Sequence, residues 1–135
     1  MKEMTCKAEI GKLEAVTSFI DGLLEECGCP LKIQFQIDVA IDEIFSNIAY
    51  YAYPSGDGTA TVRFDMNEET RVVSIAFLDR GTPFNPLAKE DPDVSLPASE
   101  RQIGGLGIFM VKKTMDKVEY AYENGMNVLT IRKKI

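Results

Sequence analysis

The spacing of the hydrophobic residues changes between residues 51 and 60, and that change limits the fold more than any other feature. Before it, apolar residues recur every three or four positions, which is typical of amphipathic helices. Helices are therefore predicted over residues 12–27 and 31–51, with Gly28 and Pro30 closing the first, and a short strand is expected over residues 5–9. The apolar stripes are Leu13, Val16, Ile20, Leu23 and Cys27 in the first helix, and Ile37, Ile41, Ile44 and Ile48 in the second.

After the change, apolar and polar residues alternate, as in half-buried strands. Strands are predicted over residues 60–66 and 71–78, followed by a helix from residue 107 to about 116 with Ile108, Val111 and Met115 inward. A last hairpin pairs residues 117–123 with 126–132 through Asn124-Gly125, the preferred pair for a two-residue turn. Short turns between consecutive strands predict a mixed, mostly antiparallel sheet with helices on one face. This is a two-layer α/β sandwich of the α+β class.

The chain length and its one long irregular segment suggest a single domain with a lid. With 135 residues, the chain can form one domain, residues 1–135, with a core of its own. Residues 86–103 contain Pro92 and Pro97 and no clear periodicity. Loops of this length in compact domains are usually functional, so a lid over a binding site is predicted there.

The composition excludes several function classes. The net charge of −6 argues against a nucleic-acid-binding surface, and the absence of histidine excludes His acid–base chemistry and a Ser-His-Asp triad. The three cysteines, Cys6, Cys27 and Cys29, lack the spacing of a zinc knuckle or a disulfide framework, so reduced thiols are expected. No apolar run is long enough for a membrane span and no secretory signal is evident, so the cytoplasm is the expected location.

The motif Glu43-Ile-Phe-Ser-Asn47 lies in the second predicted helix. Residues four apart on a helix point in nearly the same direction, and both side chains fall at the edge of the isoleucine stripe. The Glu43 carboxylate could accept a proton from a hydroxyl nucleophile, and the Asn47 amide oxygen could ligate Mg²⁺. On this helix alone, an ordinary surface position for both residues is the better explanation of the pattern.

Two further motifs follow, Asp79-Arg-Gly81-Thr-Pro-Phe-Asn-Pro86 and Gly104-Gly105-Leu106-Gly107. Asp79 ends an apolar strand, where its carboxylate could accept a hydrogen bond from the amino group of adenine, while Gly81 would allow close approach; a plain turn is the alternative. The glycines precede a predicted helix, and helix N-termini bind phosphates through free N–H groups. The spacing matches neither the dinucleotide fingerprint nor a Walker A loop.

Taken in order, the three motifs resemble the N, G1 and G2 boxes of the GHKL (histidine kinase-like) ATPase superfamily, which has the Bergerat ATP-binding fold. The particular form is similar to the bacterial anti-sigma-factor serine/threonine kinases of the RsbW and SpoIIAB type. The resemblance runs from about residue 31 to residue 135. One departure is Tyr51, which occupies a place where these kinases often have histidine.

The resemblance implies ATP and Mg²⁺ as ligands and a role for each motif residue. Glu43 would be the general base for a serine hydroxyl, Asn47 the Mg²⁺ ligand, and Asp79 the adenine-binding acid beside Gly81. The phosphates would be bound by the glycine motif, Gly104, Gly105, Leu106 and Gly107. Arg101 would reach the γ-phosphate, and residues 86–103 would form the ATP lid.

The resemblance also implies partners: a homodimer, a small STAS-type anti-anti-sigma protein that is phosphorylated on Ser or Thr, and a sigma factor that is bound. No nucleic acid or membrane is expected as a partner. Two alternatives stay open from the sequence. One is a non-catalytic, ATP-dependent protein-binding module, and the other is a detached histidine-kinase-like ATPase domain acting on a histidine of another protein.

Overall fold

The computed structural model describes residues 1–88 and 106–135, and these residues form a five-stranded sheet covered by helices. The strands run in the order β1-β2-β3-β5-β4, and every neighbouring pair is antiparallel. The sequence left a mixed sheet open, and the structure has an antiparallel one. The strands are β1 (Lys2–Lys7), β2 (Thr59–Asn67), β3 (Val72–Asp79), β4 (Lys117–Glu123) and β5 (Met126–Lys134), and the helices are α1 (Leu13–Glu26), α2 (Leu31–Asn47) and α3 (Leu106–Thr114).

The core lies between the helices and one face of the sheet, as the hydrophobic spacing predicts. Most residues on the predicted inward faces of the three helices are buried. In α1, Leu13, Leu23 and Cys27 are only half-buried, and Leu24, which was not predicted to face inward, is fully buried. Alternate residues of the central strands complete this core. They include Ala60, Val62 and Phe64 of β2, Val73, Ile75 and Phe77 of β3, and Leu129 and Ile131 of β5.

The turns follow the predicted glycine and asparagine chemistry. Asn124 and Gly125 have φ angles of 54° and 77°, the left-handed pair that a tight hairpin turn requires. Gly28 has φ 71° and follows the end of α1, where a left-handed residue closes the helix. Both predicted chain reversals are therefore confirmed.

Two elements differ from the sequence expectation. Strand β1 covers Lys2–Lys7 rather than residues 5–9, because its register against β2 pairs Met4 with Val62 and Cys6 with Ala60. The second helix is regular only to Asn47 and continues as a wider π-helical turn over Ile48–Ala52. Such turns redirect the chain within a helix and are frequent at functional sites.

The cysteines Cys6, Cys27 and Cys29 are free thiols, as expected. Burial raises the pKa of the Cys6 and Cys29 thiols, which favours their neutral form. Within the described ranges, no helix is long and apolar enough to cross a membrane. Short 3-10 turns cover Ile10–Lys12 and Pro86–Ala88, the latter at the start of the predicted lid.

Candidate functional site

Glu43 and Asn47 lie on adjacent turns of α2 and contact each other. The Asn47 Nδ2 group donates a hydrogen bond to Glu43 Oε1 at 3.2 Å, and both residues are half-buried, as their edge positions predict. Because the nitrogen of the Asn47 amide is used in this way, its carbonyl oxygen is the atom left for another ligand. The carboxylate and the amide therefore form one polar pair at the edge of the helix layer.

Gly107 brings the glycine motif to this pair. It lies in the first turn of α3, and a Cβ atom at this position would overlap the carboxylate of Glu43. The absence of a side chain therefore leaves the carboxylate room beside the helix N-terminus, a part of a helix whose backbone N–H groups can bind an anion. Leu106 also lies in this turn, whereas Arg101, Gly104 and Gly105 fall outside the described residues.

A cleft of about 290 Å³ opens between α2 and α3 at this point. Its walls combine apolar side chains with the two acids of α2. The lining residues are Val39, Asp42, Glu43, Gly107 and Met110. The Glu43 carboxylate is thus accessible from the outside of the helix layer, as a group that acts on a second molecule must be.

Asp79, at the end of β3, is buried with only 6% of its surface exposed. Its Oδ1 atom accepts two hydrogen bonds of 2.9 Å, one from the backbone N–H of Gly81 and one from Asn127 Nδ2. Its Oδ2 atom has no hydrogen-bond partner among the residues that the structure describes. A carboxylate gains from having each of its oxygens hydrogen-bonded when little of the residue is exposed, so this atom is well suited to accept a hydrogen bond from a ligand.

Asn127 of β5 is the site residue that sequence reasoning missed. It pairs directly with Asp79 in the register of the two strands and is equally buried. Its amide also donates to the Thr82 carbonyl at 3.0 Å and accepts from the Phe84 backbone N–H at 3.1 Å and from the Tyr120 hydroxyl. A polar residue in alternation with Leu129 and Ile131, on the inward face of the strand, was the available signal.

The turn after Asp79 is packed against the end of the second helix. The backbone N–H of Thr82 donates to the Ala52 carbonyl at 2.9 Å, and a Cβ atom on Gly81 would overlap that same carbonyl. The sequence assigned Gly81 to close approach of a base, and the structure adds a second reason for glycine, which is contact with the backbone of Ala52. Helix α2 and its π-helical turn therefore join the two halves of the site.

Tyr51 and Tyr53 have different surroundings in this region. Tyr51 is 74% exposed, so the residue that stands where the resemblance predicts a histidine lies away from the core. The Tyr53 hydroxyl accepts a hydrogen bond from the Arg80 N–H at 2.8 Å and donates to the Thr59 carbonyl at 2.5 Å. Tyr53 therefore helps to fix the turn that carries Asp79, whereas Tyr51 does not.

The described residues contain no group of three or more His, Cys, Asp or Glu side chains arranged to hold a metal ion. A dedicated protein cage is not what Mg²⁺ needs when it binds with phosphates, since it usually keeps several waters and takes one or two protein oxygens. The carbonyl oxygen of Asn47, beside the Glu43 carboxylate, suits such a site. The residues present therefore fit a magnesium–nucleotide ligand.

Asp21 of α1 and Asp38 of α2 form a pair of acids away from these motifs. Burial, a hydrogen bond with Asp21 and the charge of Asp21 raise the pKa of Asp38 to about 7. One carboxylate oxygen of each residue is buried without a hydrogen-bond partner. This pair affects the stability of the helix layer and is not part of the site.

Comparison with known proteins agrees with this geometry. Residues 6–133 match the model of the histidine kinase-like ATPase domain. The chain is 30% identical over 128 residues to the serine-protein kinase RsbW of Halalkalibacterium halodurans, with 92% of this chain and 77% of the relative covered. It is 26% identical over 131 residues to the same-named protein of Bacillus mycoides, covering 94% and 81%.

A third relative carries a different name for the same kind of activity. It is the serine/threonine-protein kinase BtrW of Bordetella bronchiseptica, 25% identical over 100 residues, with 74% of this chain and 70% of the relative covered. The family match extends over both halves of the site, from α2 through the turn after β3 to α3 and β5. The chain therefore belongs to the histidine kinase-like ATPase domain family.

Proposed function

We propose that this protein is an ATP-dependent protein serine/threonine kinase of the anti-sigma-factor type. It would phosphorylate a serine or threonine of a small STAS-type anti-anti-sigma protein and would bind a sigma factor. The observation that carries this proposal is the contact between the Glu43 carboxylate and Gly107, which sets a potential base beside the helix N-terminus that would bind phosphates. The names of the relatives, all protein kinases, support the same activity.

The nucleotide would be held at three places. Asp79 Oδ2 would accept a hydrogen bond from the adenine amino group, and the first turn of α3 would bind the phosphates through Leu106 and Gly107. The Asn47 carbonyl oxygen would ligate Mg²⁺, which would neutralise charge on the phosphates. Gly104, Gly105 and Arg101 would contribute from the segment that precedes α3.

The chemical step assigned to this chain is a proton transfer. Glu43 would accept the proton of the substrate hydroxyl while the serine oxygen forms a bond to the γ-phosphorus. The bond between that phosphorus and the oxygen bridging to the β-phosphate would break, and ADP would leave with the bond's electron pair. Phosphoryl transfer depends mainly on positioning and on charge neutralisation, so one carboxylate and a few backbone donors suffice.

The outer surface of α2 supports a protein, rather than a small molecule, as the second substrate. Leu31, Phe35 and Val39 are exposed at intervals of four residues, and Glu43 follows at the same interval. Met110 of α3, also exposed, lies across the cleft from Val39. Contiguous exposed apolar side chains often mark protein interfaces, and this row ends at the proposed base. A homodimer and a cytoplasmic location, expected from the sequence, stay predictions.

The decisive experiment uses γ-labelled Mg-ATP, the protein and its cognate STAS-type partner. Label is expected on the partner, and none is expected when the acceptor serine or threonine of the partner is replaced by alanine. The matched variant Glu43→Gln should lower transfer by about 100-fold or more, which is the usual contribution of a general base. Measurable ATP binding by the wild-type protein without any label on the partner would contradict the kinase proposal and favour a non-catalytic binding module.

A further inference from the structure

Asn127 has every hydrogen-bonding position of its amide occupied. Its two N–H bonds point to Asp79 Oδ1 and to the Thr82 carbonyl, and its oxygen accepts from the Phe84 N–H and the Tyr120 hydroxyl. An asparagine amide offers two donors and two acceptor lone pairs, so none remains for a ligand. Asn127 therefore acts on a ligand only through the groups that it holds.

The orientation of this amide follows from its partners. A carboxylate and a peptide carbonyl can only accept hydrogen bonds, whereas a peptide N–H can only donate. The opposite orientation would set the amide oxygen against both acceptors and its nitrogen against the Phe84 N–H. The nitrogen of Asn127 must therefore face Asp79, and Asp79 must accept there.

We propose that Asn127 is a specificity-determining residue that makes the site select purines with an amino group at C6 over purines with a carbonyl at C6. The proposal rests on the adenine-binding role of Asp79 given above. Asn127 and Gly81 occupy Oδ1 with N–H donors, and this keeps the Asp79 carboxylate an acceptor with Oδ2 available. An amino group satisfies that oxygen, whereas a carbonyl would oppose it with a second acceptor.

The size of this discrimination follows from the cost of leaving an acceptor without a hydrogen bond when the ligand is bound. Leaving such a group without a partner lowers affinity by roughly 5- to 150-fold, and by more when it is charged. A site built to pair with a substrate N–H therefore rejects the analogue that lacks it far more strongly than an apolar pocket rejects a change of one methylene. Asn127 also holds the turn through Thr82 and Phe84, so that Oδ2 stays in a fixed position.

The test compares the Kd values of ATP and ITP, which differ in the group at C6, by calorimetry in the presence of Mg²⁺. The wild type is expected to prefer ATP by 100-fold or more. In Asn127→Asp, two adjacent carboxyl groups would share a proton, so one of them becomes a donor that can pair with a carbonyl. The ratio of the two Kd values is then expected to fall by about tenfold.

Two controls separate specificity from folding. Tyr120→Phe removes one hydrogen bond from the Asn127 oxygen and leaves the contact with Asp79, so the ratio should stay within about twofold of wild type. If thermal unfolding shows that Asn127→Asp is not folded, Asn127→Ser is measured instead, since a single hydroxyl cannot donate to both Asp79 and Thr82. Its ratio should also fall by several-fold.

An unchanged ATP-to-ITP ratio in the folded Asn127 variants, or an equal loss of affinity for both nucleotides, would overturn the proposal. Failure of the kinase proposal has a different signature, which is normal nucleotide discrimination without transfer of phosphate to the partner protein. The two results are therefore distinguishable in the same preparations.

Discussion

The adenine end and the chemical end of the site differ in how firmly the fold holds their acids. Asp79 is 6% exposed and accepts two hydrogen bonds of 2.9 Å, one of them from a strand partner with a fully satisfied amide. Glu43 is half-buried and, among the residues that the structure describes, accepts one hydrogen bond, of 3.2 Å, from the next turn of its own helix. The first acid is fixed before a ligand arrives, whereas the second can still adjust when the substrates bind.

The two glycines of the site show the same difference. A side chain on Gly81 would meet the backbone carbonyl of Ala52, which cannot move without disturbing the helix end. A side chain on Gly107 would meet the end of the flexible Glu43 side chain. Replacing each glycine by alanine is therefore expected to damage different properties, stability in the first case and chemistry in the second.

The larger effect is expected for Gly107→Ala on phosphoryl transfer. The added methyl group would displace the Glu43 carboxylate, and a shift of about 1 Å in a reacting group can lower a rate by about 100-fold. Stability should not fall, since alanine is favoured over glycine inside a helix by roughly 0.5–1 kcal/mol. Transfer to the partner and the thermal midpoint, measured on one preparation, test this. Normal transfer by a folded Gly107→Ala protein would show that the carboxylate position is not critical.

Gly81→Ala should lower stability. Forcing a methyl group against backbone costs about 1–3 kcal/mol, and the turn that carries Asp79 should loosen. The expected result is a lower midpoint in chemical denaturation together with weaker ATP binding. Gly11→Ala is a matched control, since a Cβ atom there meets nothing within 4 Å. Equal stability of the Gly81→Ala and Gly11→Ala proteins would contradict the view that the adenine end is rigidly built.

The smallest effect is expected for Asp38, which lies outside both the adenine end and the chemical end of the site. This residue is expected to make the stability of the protein depend on pH. The pKa of Asp38 is raised to about 7 by burial and by Asp21, so the folded state holds a proton that the unfolded chain releases near pH 4. Stability due to this group is present below about pH 4 and is lost as the pH rises towards 7. Asp38→Asn should therefore raise the thermal midpoint at pH 8 by about 2–4 °C, a value reduced for partial solvent exposure, and should change it little at pH 4.

The control for this prediction is Asp57→Asn, an exposed residue in the segment before β2. It should leave the midpoint unchanged at both pH values. If the thermal midpoint of Asp38→Asn equals that of the wild type from pH 4 to pH 8, then the pair of Asp21 and Asp38 is not a source of pH-dependent stability. Any pH dependence of transfer could then be assigned to the site itself.

The sequence predicted the elements whose hydrophobic spacing is regular, and missed features that depend on contacts between distant segments. Ile37, Ile41 and Ile44 predicted α2, and the alternation from Ala60 to Met66 predicted β2. The bounds predicted for β1 were wrong because this short edge strand is mostly polar, so no clear apolar face marks its position in the sequence.

The same limit applied to the site. The motif residues on single elements, Glu43, Asn47 and Asp79, were predicted because one helix or one strand end suffices to place them. The role of Asn127 depends on its pairing with Asp79 from 48 positions away, and the packing of Gly107 against Glu43 depends on how α3 lies on α2. Neither contact has a local sequence pattern, so only the folded chain reveals it.

The most direct test of a separation between binding and chemistry is the Glu43→Gln variant, measured for both ATP affinity and phosphate transfer at saturating ATP. We predict a Kd for ATP within about threefold of wild type, because Glu43 takes no part in holding adenine, and a transfer rate lower by about 100-fold or more. A transfer rate within a few-fold of wild type would contradict this prediction, and so would a loss of transfer that is explained entirely by a loss of ATP binding.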